Sequence, residues 1–287
     1  MKNLISLLRV HQWVKNLFVF LPGFFSGRLL DVSIIKNSLL AFLLFSLTAS
    51  VIYIINDYSD IEKDKLHPEK KKRPLASGAI SKQKAILIII PLLVFICLGC
   101  FLYLELPAIL VLVSYFVMNL CYTFYLKNIP IVDVTIISLG FVLRVLFGGL
   151  VVAILVSKWA LLLTFSLALI LALGKRRGEL SLVQENARKS LSGYNIEFLN
   201  TALTIAIAIT LVSYIMYAVS PEVLENFQSE YVYATTIFVL MGLLRYLQQT
   251  FVYNKTESPT KLIYTDHFVQ ATVLLWIVSF FLIIYFK

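Results

Sequence analysis

Residues 56 to 64 read Asn-Asp-Tyr-Ser-Asp-Ile-Glu-Lys-Asp and lie where an almost wholly apolar run, Leu39 to Ile55, gives way to a charged segment. If the helix continues through them, Asp57, Asp60 and Asp64 fall at i, i+3 and i+7 with Asn56 beside them, so all four share one face. Carboxylates grouped in this way repel one another unless a cation neutralises them. Hard oxygen ligands in this number suit Mg2+, which keeps several waters and bridges protein carboxylates to phosphates. The competing reading is a solvated acidic helix end offset by the lysines that follow.

Further along, Asp133 and Arg144 are eleven residues apart in one apolar stretch, on one helical face and about three turns, ~16 Å, from each other. Ionisable groups at membrane depth are rare, face the bundle interior and pair or line a polar cavity. An interior salt bridge or a set of carbonyl contacts is the plainer role for Arg144. Lys15, Arg73, Lys127, Lys175, Arg176 and Arg177 all fall at the same ends of apolar runs, where an anion could be held. Carboxylates that hold Mg2+, with Lys and Arg close by, are the parts used to bind and activate a leaving diphosphate.

The elements that must position these groups are membrane helices. The chain has 287 residues, 60% of them apolar and only 14% charged, with a mean hydropathy of +0.87, which excludes an ordinary soluble domain. At about 20 residues per crossing, nine spans are predicted: 16–30, 34–56, 84–104, 107–125, 130–154, 158–174, 197–220, 231–252 and 268–286. Nineteen Lys and Arg fall on one side, in the N-terminal segment and the loops 57–84, 127–129, 175–196 and 253–267. Only Arg28, Lys36, Lys158 and Lys287 fall on the other, while Arg144 and Arg245 lie within spans. The positive-inside rule then makes the N-terminus cytoplasmic and the C-terminus external. The net charge of +9 is thus topological first, and it does not call for a nucleic-acid partner. The expected architecture is all-α, one polytopic membrane domain over 1–287.

Lys2 and Arg9 before an apolar run look like the start of a signal peptide, but no small-residue cleavage site follows and Pro22-Gly23 interrupts the run, so retention is expected. Cys97 and Cys100 are C-x-x-C by spacing alone and are expected to be small buried hydrophobes. There is no Ser-His-Asp arrangement, no H-E-x-x-H, no G-x-x-x-x-G-K-[ST] and no Cys/His metal spacing. His11, His67 and His267 are far apart in sequence.

Asn56-Asp57-x-x-Asp60-x-x-x-Asp64, then Arg73-Pro74, then a Tyr122-x-x-x-Leu126-Lys127 segment leading to Asp133, resembles the UbiA superfamily of intramembrane prenyltransferases. The resemblance implies a nine-helix bundle with a Mg2+-dependent diphosphate site, held here by Asn56, Asp57, Asp60 and Asp64. Gln12-Trp13-Val14-Lys15-Asn16, His67-Pro68, Gly140 to Arg144, and Gly174-Lys175-Arg176 with Glu179-Leu180 are most similar to the branch that transfers phosphoribosyl groups to polyprenyl phosphates. Aromatic prenyltransferases of the superfamily usually carry a second aspartate-rich motif. Here Asp133 has no acidic partner three or four residues away, so the fixed cations Lys127 and Arg144 are expected in its place.

The resemblance implies phosphoribosyl pyrophosphate as donor, polyprenyl phosphate as acceptor, and a site facing the cytoplasm across the cytoplasmic membrane. Asp57, Asp60, Asp133 and Arg144 are the expected catalytic residues. Lys127 and Arg144 are expected on phosphate, Asp133 on ribose or a metal-bound water, and Tyr122 with Asn56 on substrate. Lys15, Arg73, Lys175 and Arg176 are expected on the 5-phosphate or the lipid phosphate. Two other functions stay open: prenyl transfer from a polyprenyl diphosphate to an aromatic acceptor, and carriage of a lipid phosphate. Because a carboxylate cluster relieved of repulsion should not lose stability, Asn at Asp57 or Asp60 is expected to abolish turnover and leave folding intact.

Overall fold

A computed structural model describes residues 2–181, 189–254, 262 and 265–285, all helix, turn or loop with no strand among them. In order, the α-helices are α1 (Lys2–Leu7), α2 (Leu21–Phe25), α3 (Val32–Ser59), α4 (Ile61–Leu66), α5 (Lys82–Tyr103), α6 (Leu106–Phe124), α7 (Val132–Val151), α8 (Lys158–Ser181), α9 (Ile196–Ala218), α10 (Pro221–Phe227), α11 (Thr236–Phe251) and α12 (His267–Tyr285). Among the described residues seven helices, α3, α5 to α9 and α12, are long and apolar enough to cross a membrane.

The two remaining predicted spans take other forms. Where 16–30 was expected as one helix, a 3-10 helix runs Val10–Phe20 and a five-residue α2 follows. Pro22 cannot donate a backbone hydrogen bond there. Side chains also tie the 3-10 segment to α3: Trp13 Nε1 donates to Ser50 Oγ at 3.0 Å and Asn16 Nδ2 to Ser46 Oγ at 2.9 Å. The 231–252 stretch is a 3-10 turn, Glu230–Thr235, and then the 16-residue α11.

The chain divides into two compact units, 1–127 with 140–156 and 128–139 with 157–287, so α7 contributes its start to the second and the rest to the first. In the first unit Phe45 and Ala49 of α3, Leu112 and Tyr115 of α6 and Phe147 of α7 form the core. A methyl group on Gly148 would lie 2.1 Å from the Val19 carbonyl oxygen, so glycine is what lets the 3-10 segment cross α7 backbone to backbone. In the second unit Ile170 and Leu173 of α8, Leu199 and Leu203 of α9, and Leu243 and Tyr246 of α11 pack together.

Along α5, Leu87, Ile90, Val94, Leu98 and Phe101 are all exposed, as expected of a lipid-facing helix. Cys97 shares that exposure, contrary to the burial expected from sequence, and it and Cys100 are unpaired thiols. The reason is that α5 offers little of its surface to the core.

Candidate functional site

In the first unit, α3 stops at Ser59 and α4 begins at Ile61, with Asp60 at the bend (φ −102°, ψ 10°). Backbone bonds from Asp60 N to Asn56 O (3.0 Å) and from Asp64 N to Asp60 O (2.8 Å) carry the four-residue repeat across the bend. Asp57 and Asp64 therefore converge and Asp60 turns aside. Asp57 is 2% exposed and Asp64 4%.

Each of these carboxylates has a basic partner from a distant segment. Arg73 Nη1 donates to Asp57 Oδ1 at 3.1 Å and to Asp64 Oδ2 at 2.7 Å. Lys127 Nζ donates to both oxygens of Asp60, at 2.9 and 2.7 Å. Arg9 donates to Asp57 as well and lies over the Tyr53 ring, 4.9 Å from its centroid. Arg73 is placed by its loop, whose Leu75 and Ile80 are buried against Leu7, Ile54, Ile61 and Ala85. Gly78, at φ 76°, supplies the turn between them. Lys127 is set by a 3-10 turn, Leu126–Asn128, directly after α6. Asn56 and Tyr122 are half-buried nearby in sequence. The repulsion expected within the aspartate cluster is offset by remote cations, one or more on each carboxylate.

Among the described residues no group of three or more His, Cys, Asp or Glu side chains is arranged to hold a metal. The donor chemistry nonetheless fits a divalent cation: Asp57 and Asp64 are buried oxygen donors that already share one positive group, Arg73 Nη1.

Arg144, 5% exposed, is also in this unit. Its Nε donates to Asn16 Oδ1 (2.8 Å), Nη1 to Gly140 O (2.7 Å) and Nη2 to Tyr115 Oη (2.9 Å), and the rings of Phe45, Tyr115 and Phe141 lie within 5.2 Å of its guanidinium carbon. All these partners are neutral, so its charge is uncompensated among the described residues. Lys15 is half-buried and likewise forms no ion pair there. Burial first, then the charges of Arg144 and Arg9, push its ammonium down to about 8.

The second unit holds a separate cluster. Asp133, fully buried in the first turn of α7, accepts from Arg176 Nε (2.7 Å), Ser190 Oγ (3.1 Å) and Tyr194 Oη (2.7 Å). Arg176, 1% exposed, also donates to Glu179 at 2.6 Å. Tyr194 Oη in turn accepts from the Ile131 N–H at 2.6 Å, which holds a β-branched residue at φ 68°. Burial, and then the hydrogen bond to Asp133, push the Tyr194 hydroxyl well above the usual range. Lys175 is exposed, with Glu179 at 3.8 Å. Arg177, 6% exposed, donates to Asn200 (2.7 Å) and Asn254 (3.0 Å). Arg245, expected within a span, pairs with Asp266, which caps α12 by accepting from Val269 N at 3.0 Å.

The first unit thus gathers Asp57, Asp60, Asp64, Arg73 and Lys127 in ion pairs, and Arg144 lies within electrostatic reach of Lys15. The second joins Asp133 to Arg176. Arg9, Asn16, Tyr115, Ser190 and Tyr194 were not among the expected site residues. A lone arginine before an apolar run carries no signal of its partner, and Tyr115 has no neighbour in sequence that marks it.

By backbone, the chain is similar to a solved UbiA homologue from Archaeoglobus fulgidus bound to DMAPP and Mg2+, with a TM-score of 0.71 at 20% identity over 98% of each chain. A solved digeranylgeranylglyceryl phosphate synthase gives 0.68 at 18% identity over the whole of both. These likenesses define an all-helical membrane fold. Residues 16–269 match the UbiA prenyltransferase family, and the chain belongs to that family of transferases. Among curated relatives, the decaprenyl-phosphate phosphoribosyltransferase of Mycolicibacterium smegmatis is 31% identical, covering 99% of this chain and 93% of that one. The protein of the same name from Mycobacterium tuberculosis is 29% identical, over 96% and 92%.

Proposed function

We propose that the chain transfers a 5-phosphoribosyl group from phosphoribosyl pyrophosphate to a polyprenyl phosphate, releasing diphosphate. The observation that carries this reading is the surplus of positive charge in the first unit, buried at Arg144 and half-buried at Lys15. Beyond the three cations that match Asp57, Asp60 and Asp64, Lys15 and Arg144 have no carboxylate partner among the described residues. A buried charge with neutral partners only is costly until an anion arrives. A phosphoribosyl donor brings a diphosphate and a 5-phosphate, and the acceptor brings a third phosphate. The names of the curated relatives support the same substrates.

Asp57, Asp60 and Asp64, with Asn56, are the residues that would hold Mg2+. Bound there, the ion would supply charge neutralisation to the leaving diphosphate. Arg73 and Lys127, paired with these carboxylates, are the cations placed to meet the phosphate oxygens of a donor held there. Lys15 and Arg144 bind a further phosphate and fix the ribose carbon that is attacked. Tyr122 completes substrate binding in the first unit; in the second, Asp133 holds Arg176 in place next to Lys175 in the chain. The acceptor phosphate is mostly ionised at neutral pH, its second pKa being near ~6, so attack needs no general base. Positioning and electrostatics carry the catalysis.

The setting is a multi-pass protein of the cytoplasmic membrane with nine spans, its N-terminus and site on the cytoplasmic side, and its product serves lipid-linked sugar donors for the cell envelope. The test is incubation of purified protein with Mg2+, phosphoribosyl pyrophosphate and a polyprenyl phosphate. Mass spectrometry should show a lipid one phosphoribosyl unit heavier, absent when the metal is chelated. A lipid fraction unchanged at every chain length tried removes the proposal.

A further inference from the structure

We propose that Arg9 is a ligand of the donor's diphosphate, and that it leaves Asp57 only when a divalent cation and a diphosphate enter together, so that the two bind as a coupled pair. The inference rests on the aspartate cluster being the metal and diphosphate site.

Charge balance makes the argument. Asp57, Asp60 and Asp64 face Arg9, Arg73 and Lys127, three negative groups against three positive ones, and every member is in an ion pair. The carboxylates of Asp57 and Asp64 are almost fully buried, and the side chains of Arg9 and Arg73 are only 16% and 26% exposed. A divalent cation arriving alone must displace a guanidinium and leave it half-buried without a counter-ion. A diphosphate arriving alone must pull a guanidinium away and leave a buried carboxylate bare. Both moves incur the desolvation cost of an unpaired charge. When the two ligands arrive together the partners simply exchange, carboxylates to the cation and guanidinium forks to phosphate oxygens, which they fit bidentately.

Arg9 is the member built for this exchange. It sits at the junction of α1 and the 3-10 helix with φ 50° and ψ 46°, a left-handed conformation that a non-glycine residue adopts at a cost. The turn is pinned on both sides, Arg9 N donating to Ser6 O at 3.2 Å and Gln12 N to Arg9 O at 2.7 Å. The guanidinium also has a second seat, the face of Tyr53, which keeps it beside the carboxylates after it lets go. Arg73, by contrast, is shared by two carboxylates and is the harder to release.

The experiment uses the full chain in detergent, with Mn2+ as probe read by electron paramagnetic resonance, titrated with and without pyrophosphate and corrected for the metal complex formed in protein-free buffer. Wild type should bind Mn2+ at least about tenfold more tightly with pyrophosphate, and pyrophosphate should gain the same factor from Mn2+. Arg9→Gln should bind Mn2+ alone several-fold more tightly than wild type and lose most of the coupling, with Arg9→Lys between. Equal Mn2+ affinity with and without pyrophosphate in wild type overturns the proposal, as does an Arg9→Gln protein with unchanged metal affinity and unchanged coupling. If Arg9→Gln does not fold, wild type and Arg9→Lys decide. Pyrophosphate is common to phosphoribosyl and prenyl donors. Coupling without phosphoribosyl product would therefore retain this inference and sink the assigned reaction, and the product without coupling would do the reverse.

Discussion

Asp57→Asn is the most informative single change, because its effect on stability has a sign that two accounts of the cluster give oppositely. If the aspartates repelled one another, removing a charge would leave stability unchanged or raise it. In the structure Asp57 instead accepts from both Arg9 and Arg73 while 2% exposed. Arg73 keeps Asp64 after the change, so the loss falls on Arg9, whose remaining contact is the Tyr53 ring. A hydrogen bond to a charged group is worth about 1.5–3 kcal/mol. The asparagine oxygen can still accept, and water reaches the 16% exposed Arg9, so the expected cost is about 1–2 kcal/mol. Thermal unfolding in detergent, followed by intrinsic fluorescence, should show Tm lowered by about 2–8 °C, with phosphoribosyl transfer lost in the same preparation. A Tm equal to or above wild type would refute the pairing. Full turnover would refute the role of Asp57.

Gly148→Ala should destabilise the first unit, because the added methyl meets the Val19 carbonyl oxygen at 2.1 Å and a backbone cannot swing aside; thermal unfolding checks it. Tyr194→Phe should cost about 1–3 kcal/mol, since Asp133 loses a donor and the Ile131 N–H its acceptor, and thermal unfolding in detergent checks it. Lys15, with its ammonium at about 8, should make KM for the phosphorylated donor rise as pH increases through that value. Lys15→Arg should flatten the profile. The same depressed value means the folded chain binds fewer protons than the unfolded one between about 8 and the ordinary 10.5, so this residue should make stability rise with pH across that window.

The apolar runs of α3, α5 to α9 and α12 were legible because crossing a membrane is a demand on composition, and composition is local. The 3-10 form of Val10–Phe20 was not, since it depends on Trp13 and Asn16 reaching serines on α3, 37 and 30 residues away in sequence. The acidic motif was legible as a cluster, but its electrostatics were not. Its neutralising cations come from Arg9, Arg73 and Lys127, at separations with no helical period. Arg144 was marked by its depth in an apolar helix, whereas Asn16, its partner 128 residues earlier, stood in a quoted motif but carried no sign that it would meet Arg144. Asp133 could be singled out, but its saturation by Arg176, Ser190 and Tyr194 is a property of the packed second unit.

Whether this site activates a phosphoribosyl donor toward a lipid phosphate is decided by diphosphate release from purified protein with Mg2+ under two substrate pairs. Phosphoribosyl pyrophosphate with a polyprenyl phosphate should release diphosphate, with none from the donor alone and none in Arg144→Gln. Release instead from a polyprenyl diphosphate with a phenolic acceptor, and none from the sugar donor, would contradict the account.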